Sequence, residues 1–191
     1  MRVFAAVDLS STASQAVDEL RHGLTRHAAF SASTIRWVQR FQLHVTLQFL
    51  GDLAAEDLPA VVGVLSEKFE QRSFPVLLGE AGAFPERGVP RIIWLGACGG
   101  SEALRALRDD VTGRLQRCGV ACDTRSFRPH VTIGRVKRAS RSDGSSMRAV
   151  LGGLRPDVPP WVVDHVALYE TRLSPHGSTY SVLTSAPLAP E

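Results

Sequence analysis

Apolar positions in this chain fall into short blocks whose period changes between two and about 3.6 residues. Residues 2–7 are rich in Val and Phe and predict an opening strand that stops at Asp8. The Ser and Thr residues at 10–12 supply an N-cap, and Ala16, Val17, Leu20 and Leu24 give residues 13–28 helical spacing. Residues 35–38 read as a short strand. Residues 43–50 alternate as a strand does, and Gly51-Asp52 ends them. Leu58, Val61, Val62, Leu65 and Phe69 line one face of a second helix predicted over 54–70.

Two further strand-like runs, 74–78 and 91–95, flank a loop carrying Gly82, Pro85, Gly88 and Pro90. Ser101 is placed to cap a third helix reaching about Cys118, although Glu102 does not stand at capping-box spacing. A strand follows at 131–136. Residues 137–146 are basic, polar and Gly/Ser-containing, which predicts a mobile surface loop before a short helix at 147–151. Strands at 162–171 and 180–184 close the pattern. Several strand pairs are joined too closely for a helical crossover, so they are expected to be antiparallel. The class is α+β, and no linker or low-complexity stretch divides the 191 residues, which suit a single domain spanning 1–191.

A hydrophobic content of 44% with 21% charged residues argues against disorder. The net charge of +3 suits an anionic substrate but falls short of the basic blocks of a dedicated nucleic-acid arm. Cys98, Cys118 and Cys122 form an odd set without disulfide or zinc spacing, so they read as thiols of a reducing compartment. Residues 2–8 are too short for the apolar part of a signal peptide, and no run approaches a membrane span. A cytoplasmic protein without a membrane partner is expected.

Candidate chemistry comes from a repeat. Two of the six histidines open the pattern His-Val-Thr-aliphatic: His44-Val45-Thr46-Leu47 and His130-Val131-Thr132-Ile133. On a strand, residues i and i+2 face the same side about 7 Å apart. Each imidazole therefore shares a face with its hydroxyl, leaving the aliphatic residues opposite. Two imidazoles around one ligand form a general acid–base pair, because histidine titrates near neutrality. Threonine hydroxyls can donate to the non-bridging oxygens of a phosphoryl group. Arg135 adds a fixed positive charge, although strict alternation turns it to the other face unless the strand bends. None of these roles needs a metal or cofactor. The bland alternative is that histidine is structural here and threonine merely a good strand former. His22, His27, His165 and His176 have no matched partner.

With both tetrapeptides in hand, the chain resembles the two-histidine (2H) phosphoesterase superfamily, and within it the RNA 2′,3′-cyclic phosphodiesterases, also called 2′-5′ RNA ligase-like proteins. The similarity spans nearly the whole chain. It runs through residues 2–8, Arg36-Trp37-Val38, residues 43–51, Gly82-Ala83-Phe84-Pro85, residues 91–96, residues 127–135 and residues 166–171. Gly134 departs from the pattern, where a small residue, often alanine, is expected.

The resemblance implies two pseudo-symmetric antiparallel-sheet lobes with outer helices around a central cleft, each lobe giving one His-x-Thr strand. It implies opening of RNA 2′,3′-cyclic phosphate ends to 2′-phosphates, with reversible 2′-5′ ligation by the same site. In that reading His44 is the acid, His130 the base, and Thr46, Thr132 and Arg135 hold the phosphate. Two alternatives stay open: a phosphodiesterase for small cyclic nucleotides or an ADP-ribose cyclic phosphate, and a non-catalytic RNA- or nucleotide-binding module. Residues 135–141 read either as an RNA-backbone contact or as a solvated loop. A monomer is expected.

Overall fold

The computed structural model describes residues 1–31, 34–174 and 177–190, so His176 lies outside the described residues. Strand β1 (Arg2–Asp8) leads to helix α1 (Ser11–Leu24), whose first turn is closed by Ser10 Oγ accepting from the Ala13 amide at 3.1 Å. α1 ends four residues earlier than its spacing predicts. The Thr25 hydroxyl caps the His22 carbonyl at 2.7 Å, and Ala28–Phe30 forms a separate 3₁₀ turn that buries Phe30.

Then come β2 (Ile35–Trp37), β3 (His44–Asp52) and α2 (Leu58–Ser66). α2 is shorter than predicted at both ends. Pro59 fits only the first helical turn, since its ring has no N–H and collides with a preceding turn. At the other end, the buried Arg114 guanidinium takes the carbonyls of Val64, Glu67 and Lys68 at 3.2, 2.7 and 3.0 Å. Phe69 consequently leaves the helix and opens strand β4 (Phe69–Arg72), with the Arg114 guanidinium 3.8 Å above its ring.

β5 (Phe74–Phe84) and β6 (Ile92–Gly99) are longer than predicted, because Gly82 belongs to the ladder, and the loop that keeps Pro85, Gly88 and Pro90 is shorter. Gly82 lies opposite Trp94, and a Cβ there would stand 2.3 Å from the indole. α3 (Ser101–Arg117) buries Leu104, Leu107, Val111 and Leu115. Its N-cap is Gly100 in the left-handed conformation, one residue before the predicted Ser101, where a Cβ would strike the Pro75 carbonyl at 2.4 Å.

After β7 (His130–Val136), the predicted loop over 137–146 is largely helix: α4 runs Arg141–Gly153. Ser140 and Asp143 form a reciprocal capping box. Gly144, which weakens the helical signal in the sequence, is needed where Pro90 packs on it, since a Cβ would lie 2.7 Å from the Pro90 ring. β8 (Trp161–Val163), β9 (His165–Ser174) and β10 (Gly177–Ala189) complete the chain, Asp164 breaking the single strand predicted for 162–171.

The strands follow the order β4-β10-β9-β1-β3-β7-β6-β5-β8, with β2 beside β7. Neighbours are antiparallel except β4 and β10, which run parallel. The class is α+β, and the two-lobe expectation takes a definite form. Between β3 and β7 the described ladder holds one pair, Val45 opposite Val131. On one side stand β4, β10, β9, β1 and β3. On the other stand β7, β6, β5 and β8, with β2. Helices α2 and α3 pack on the first half and α4 on the second. Among the described residues, no helix is long and apolar enough to cross a membrane.

Candidate active site

The junction between the halves is where the repeated histidines meet. Val45 and Val131 are fully buried and face each other across it. The residues flanking that pair, His44 and Thr46 on β3 and His130 and Thr132 on β7, take the other face by strand alternation. Antiparallel register sets His44 toward Thr132 and Thr46 toward His130. The four half-buried polar side chains thus share one face of the junction.

A second feature repeats with them. In the β1–β3 ladder Ala6 pairs with Thr46 and Ala5 with Gln48, leaving Leu47 as an extra residue. In the β6–β7 ladder Trp94 pairs with Thr132 and Ile93 with Gly134, leaving Ile133 extra. Both strands carry a β-bulge at the third residue after histidine, which resets the alternation. Leu47 and Gln48 are both buried, as are Ile133 and Gly134. The next residue in each case, Phe49 or Arg135, emerges on the histidine face. This resolves the sequence objection to Arg135, since the strand does bend. Gly134 also answers a neighbour: it lies opposite Trp37, and a Cβ would come within 3.1 Å of the Trp37 ring and of Ile35.

The two imidazoles are held alike. His44 Nδ1 lies 2.8 Å from the Gln42 carbonyl, and His130 Nδ1 lies 2.7 Å from the Arg128 carbonyl. A carbonyl only accepts, so each Nδ1 carries the proton and each neutral ring keeps its lone pair on Nε2. The Thr46 hydroxyl lies 3.0 Å from His44 Nε2. Phe4 stacks on His44 at 4.8 Å between centroids, with Tyr180 edge-on at 5.6 Å. Phe84 and Trp94 flank His130 edge-on at 5.3 and 6.3 Å.

Burial lowers both histidine pKa values, opposed in each by the backbone carbonyl on Nδ1. Their charged neighbours differ. The Asp8 carboxylate raises the His44 pKa while Arg135 and His130 lower it; near His130, Arg128 only lowers it further.

Asp8 belongs to a cluster that the sequence reading does not single out. Tyr169 donates to Asp8 Oδ2 at 2.5 Å, and His165 Nε2 stands 3.7 Å from the same oxygen. His165 Nδ1 meets Asp164 at 2.6 Å. Held between two carboxylates, Asp8 foremost, His165 is pushed up to about 9. Burial would raise Asp8, but the neighbouring His165 imidazolium and the hydrogen bond from Tyr169 outweigh it and hold its pKa low. Periodicity places His165 in an apolar strand without a partner, and only the β1–β9 pairing brings it to Asp8.

Two adjoining cavities cover the junction. One, of 600 Å³, is lined by His44, Thr46, Phe49, Arg125, Arg135 and Tyr180 among others. The other, of 510 Å³, shares Thr46, Phe49, Ile92 and Arg125 with it and adds His130, Phe84 and Arg128. Thr132 lines neither. Arg125 lies in an irregular segment without periodic signal. Arg128, two residues before His130, was reachable by alternation; its guanidinium pairs with Glu80 and Glu86 at 3.2 and 3.1 Å and lies 4.2 Å from the Trp94 ring. Among the described residues, no three His, Cys, Asp or Glu side chains gather as a metal-binding group.

A sheet of two halves joined at a pair of bulged His-x-Thr strands defines a protein class, and the chain belongs to it: the model of the 2′-5′ RNA ligase superfamily matches residues 6–174. Among individual proteins, it is 35% identical to an RNA 2′,3′-cyclic phosphodiesterase of Archaeoglobus fulgidus over 138 residues, covering 72% of this chain and 74% of that one. The RNA 2′,3′-cyclic phosphodiesterase of Methanocaldococcus jannaschii is 26% identical over 183 residues, 96% of this chain and 98% of its own. Among solved structures, E. coli LigT in apo form superposes with a TM-score of 0.77 at 25% identity, covering 98% and 97% of the two chains. A protein of Thermus thermophilus superposes with a TM-score of 0.77 at 26% identity, covering 100% of both chains.

Proposed function

We propose that this chain opens the 2′,3′-cyclic phosphate at the end of an RNA strand to a 2′-phosphomonoester. The observation that carries the reading is the pair of imidazoles at the Val45–Val131 junction, each with Nδ1 committed to a backbone carbonyl and Nε2 left for proton transfer, that of His44 beside the Thr46 hydroxyl. Water attacks phosphorus as His130 Nε2 takes its proton. The P–O3′ bond breaks as His44 Nε2 protonates the departing oxygen. The Asp8 carboxylate near His44 favours the imidazolium there, and Arg128 near His130 favours the neutral ring, which supports this division of roles.

Thr46, Thr132 and Arg135 hold the non-bridging oxygens, whose charge grows in the transition state. When an RNA 5′-hydroxyl attacks the cyclic phosphate in place of water, the same two proton transfers break P–O3′ and leave a 2′-5′ phosphodiester linkage. The two sheet halves act as paired lobes of one domain. A single chain supplies every residue named, so a monomer suffices.

The test is product analysis on an oligoribonucleotide ending in a 2′,3′-cyclic phosphate. A 2′-phosphate product with EDTA present is expected. His44→Ala and His130→Ala should each lose about 10²–10⁴-fold in turnover while remaining folded by circular dichroism. Full activity in either folded variant refutes the assignment.

A further inference from the structure

Beside the reacting centre lies a cavity whose charged lining is wholly basic. It measures 1010 Å³ and extends from Arg135 and Ile92 across the loop joining β5 to β6 and the segment joining β7 to α4. Its lining contributes five cationic side chains, Arg87, Arg91, Arg135, Lys137 and Arg138, and no carboxylate. The nearest acids in sequence are engaged elsewhere: Glu86 pairs with Arg128 at 3.1 Å, and Asp143 closes the α4 capping box.

The walls of this trough are tied to the fold. The Arg91 amide donates to the Phe84 carbonyl at 2.7 Å, and the Val136 amide donates to the Arg91 carbonyl at 2.9 Å. Arg148 of α4 reaches the Pro85 carbonyl at 2.8 Å, while Pro90 rests on Gly144. The Lys137 amide donates to the Thr34 carbonyl at 2.8 Å. Here five cations from two chain segments, whose backbones are tied at Arg91, Val136 and Lys137, share one concave surface.

We infer that this trough holds the phosphodiester backbone of single-stranded RNA immediately upstream of the cyclic end, an inference that rests on the function proposed above. Ring opening leaves the terminal nucleoside attached through its 5′-oxygen, so the rest of the strand must leave the centre along some surface. Arg135 lines both the reacting cavity and the trough, which makes the path continuous. Clustered Arg and Lys side chains neutralise successive phosphates without reading bases. Pro85, Val89 and Ile92 give the same trough apolar surface for riboses or bases.

The experiment compares a pentaribonucleotide ending in a 2′,3′-cyclic phosphate with 2′,3′-cyclic AMP, over a range of salt concentrations. The Arg87→Ala/Arg138→Ala double variant should lose about tenfold in kcat/KM for the pentamer. Its log–log salt slope should flatten by about 1.4, or 0.7 for each phosphate contact removed. Turnover of 2′,3′-cyclic AMP should not change. Wild-type behaviour on the pentamer, or an equal loss on both substrates, overturns the inference. If the wild-type protein opens neither substrate, the parent reading fails by itself. Anisotropy titration of a 3′-phosphorylated pentamer then decides the trough: weaker binding by the double variant supports it, and equal binding overturns it.

Discussion

Each catalytic candidate depends on a bond made two residues away, where the carbonyl of Gln42 or Arg128 fixes Nδ1 and leaves Nε2 to do the chemistry. Burial lowers both pKa values from their ordinary 6.5. The proposed base must be neutral and the proposed acid protonated. The kcat/KM optimum of the free enzyme should therefore lie on the acid side of 6.5. A bound phosphate anion favours both imidazolium forms, so the kcat optimum should lie at higher pH. Separate profiles of the two quantities check this, and a kcat/KM optimum above about pH 7.5 contradicts it. In Asp8→Asn, the carboxylate that raises His44 is gone, so the alkaline limb should move to lower pH while the acid limb stays. Movement of the acid limb alone would exchange the roles of the two histidines. The His-x-Thr pairs were legible at this scale because strand alternation is local. Asp8, Tyr169 and His165 were not, since strand pairing alone brings them together.

At the level of elements, the twin bulges at Leu47 and Ile133 decide which side chains enter the site. Alternation read from the sequence turns Arg135 away, and the extra residue turns it back. Helix lengths show the same division between local and distant causes. Pro59 marks the start of α2 in the sequence, but its end is set by Arg114, which belongs to α3. Arg114→Met should leave the Val64, Glu67 and Lys68 carbonyls without their partner and cost about 3 kcal/mol. The melting temperature should drop by about 6–12 °C, measured by calorimetry. Glycines divide similarly. Gly82→Ala drives a methyl into Trp94 and should destabilise by about 1–3 kcal/mol. Gly63→Ala, on the exposed side of α2 with nothing within 4 Å, should stabilise by about 0.5–1 kcal/mol. Denaturant unfolding of the two variants should therefore shift in opposite directions.

Across the whole molecule, the two sheet halves share only the Val45–Val131 pair in the described β3–β7 ladder, and the proposed phosphate site lies over it. A ligand gripped by His44 and Thr46 from one half and His130 and Thr132 from the other should stabilise both together. At about 100 times its Kd, 2′-AMP should add about 2.7 kcal/mol to the unfolding free energy. That corresponds to a rise in Tm of about 5–10 °C in a single transition. The Thr46→Ala/Thr132→Ala variant should lose most of the rise at the same concentration. No rise in the wild-type protein at saturation would place the phosphate elsewhere.

The sequence by itself determined the α+β class, most strand positions, and two histidines each sharing a face with a threonine. These follow from side-chain period and from residue chemistry, which act over a few positions. Tertiary structure decided where the two strands meet, the bulges that turn Phe49 and Arg135 inward, and the carboxylate that separates His44 from His130 electrostatically. It also explains the glycine that disguises residues 141–146 as a loop, since Gly144 answers to Pro90 far along the chain, although the Ser140–Asp143 capping box that opens α4 is a local signal. Each of these rests on a contact between residues far apart along the chain, a distance that hydrophobic periodicity does not encode.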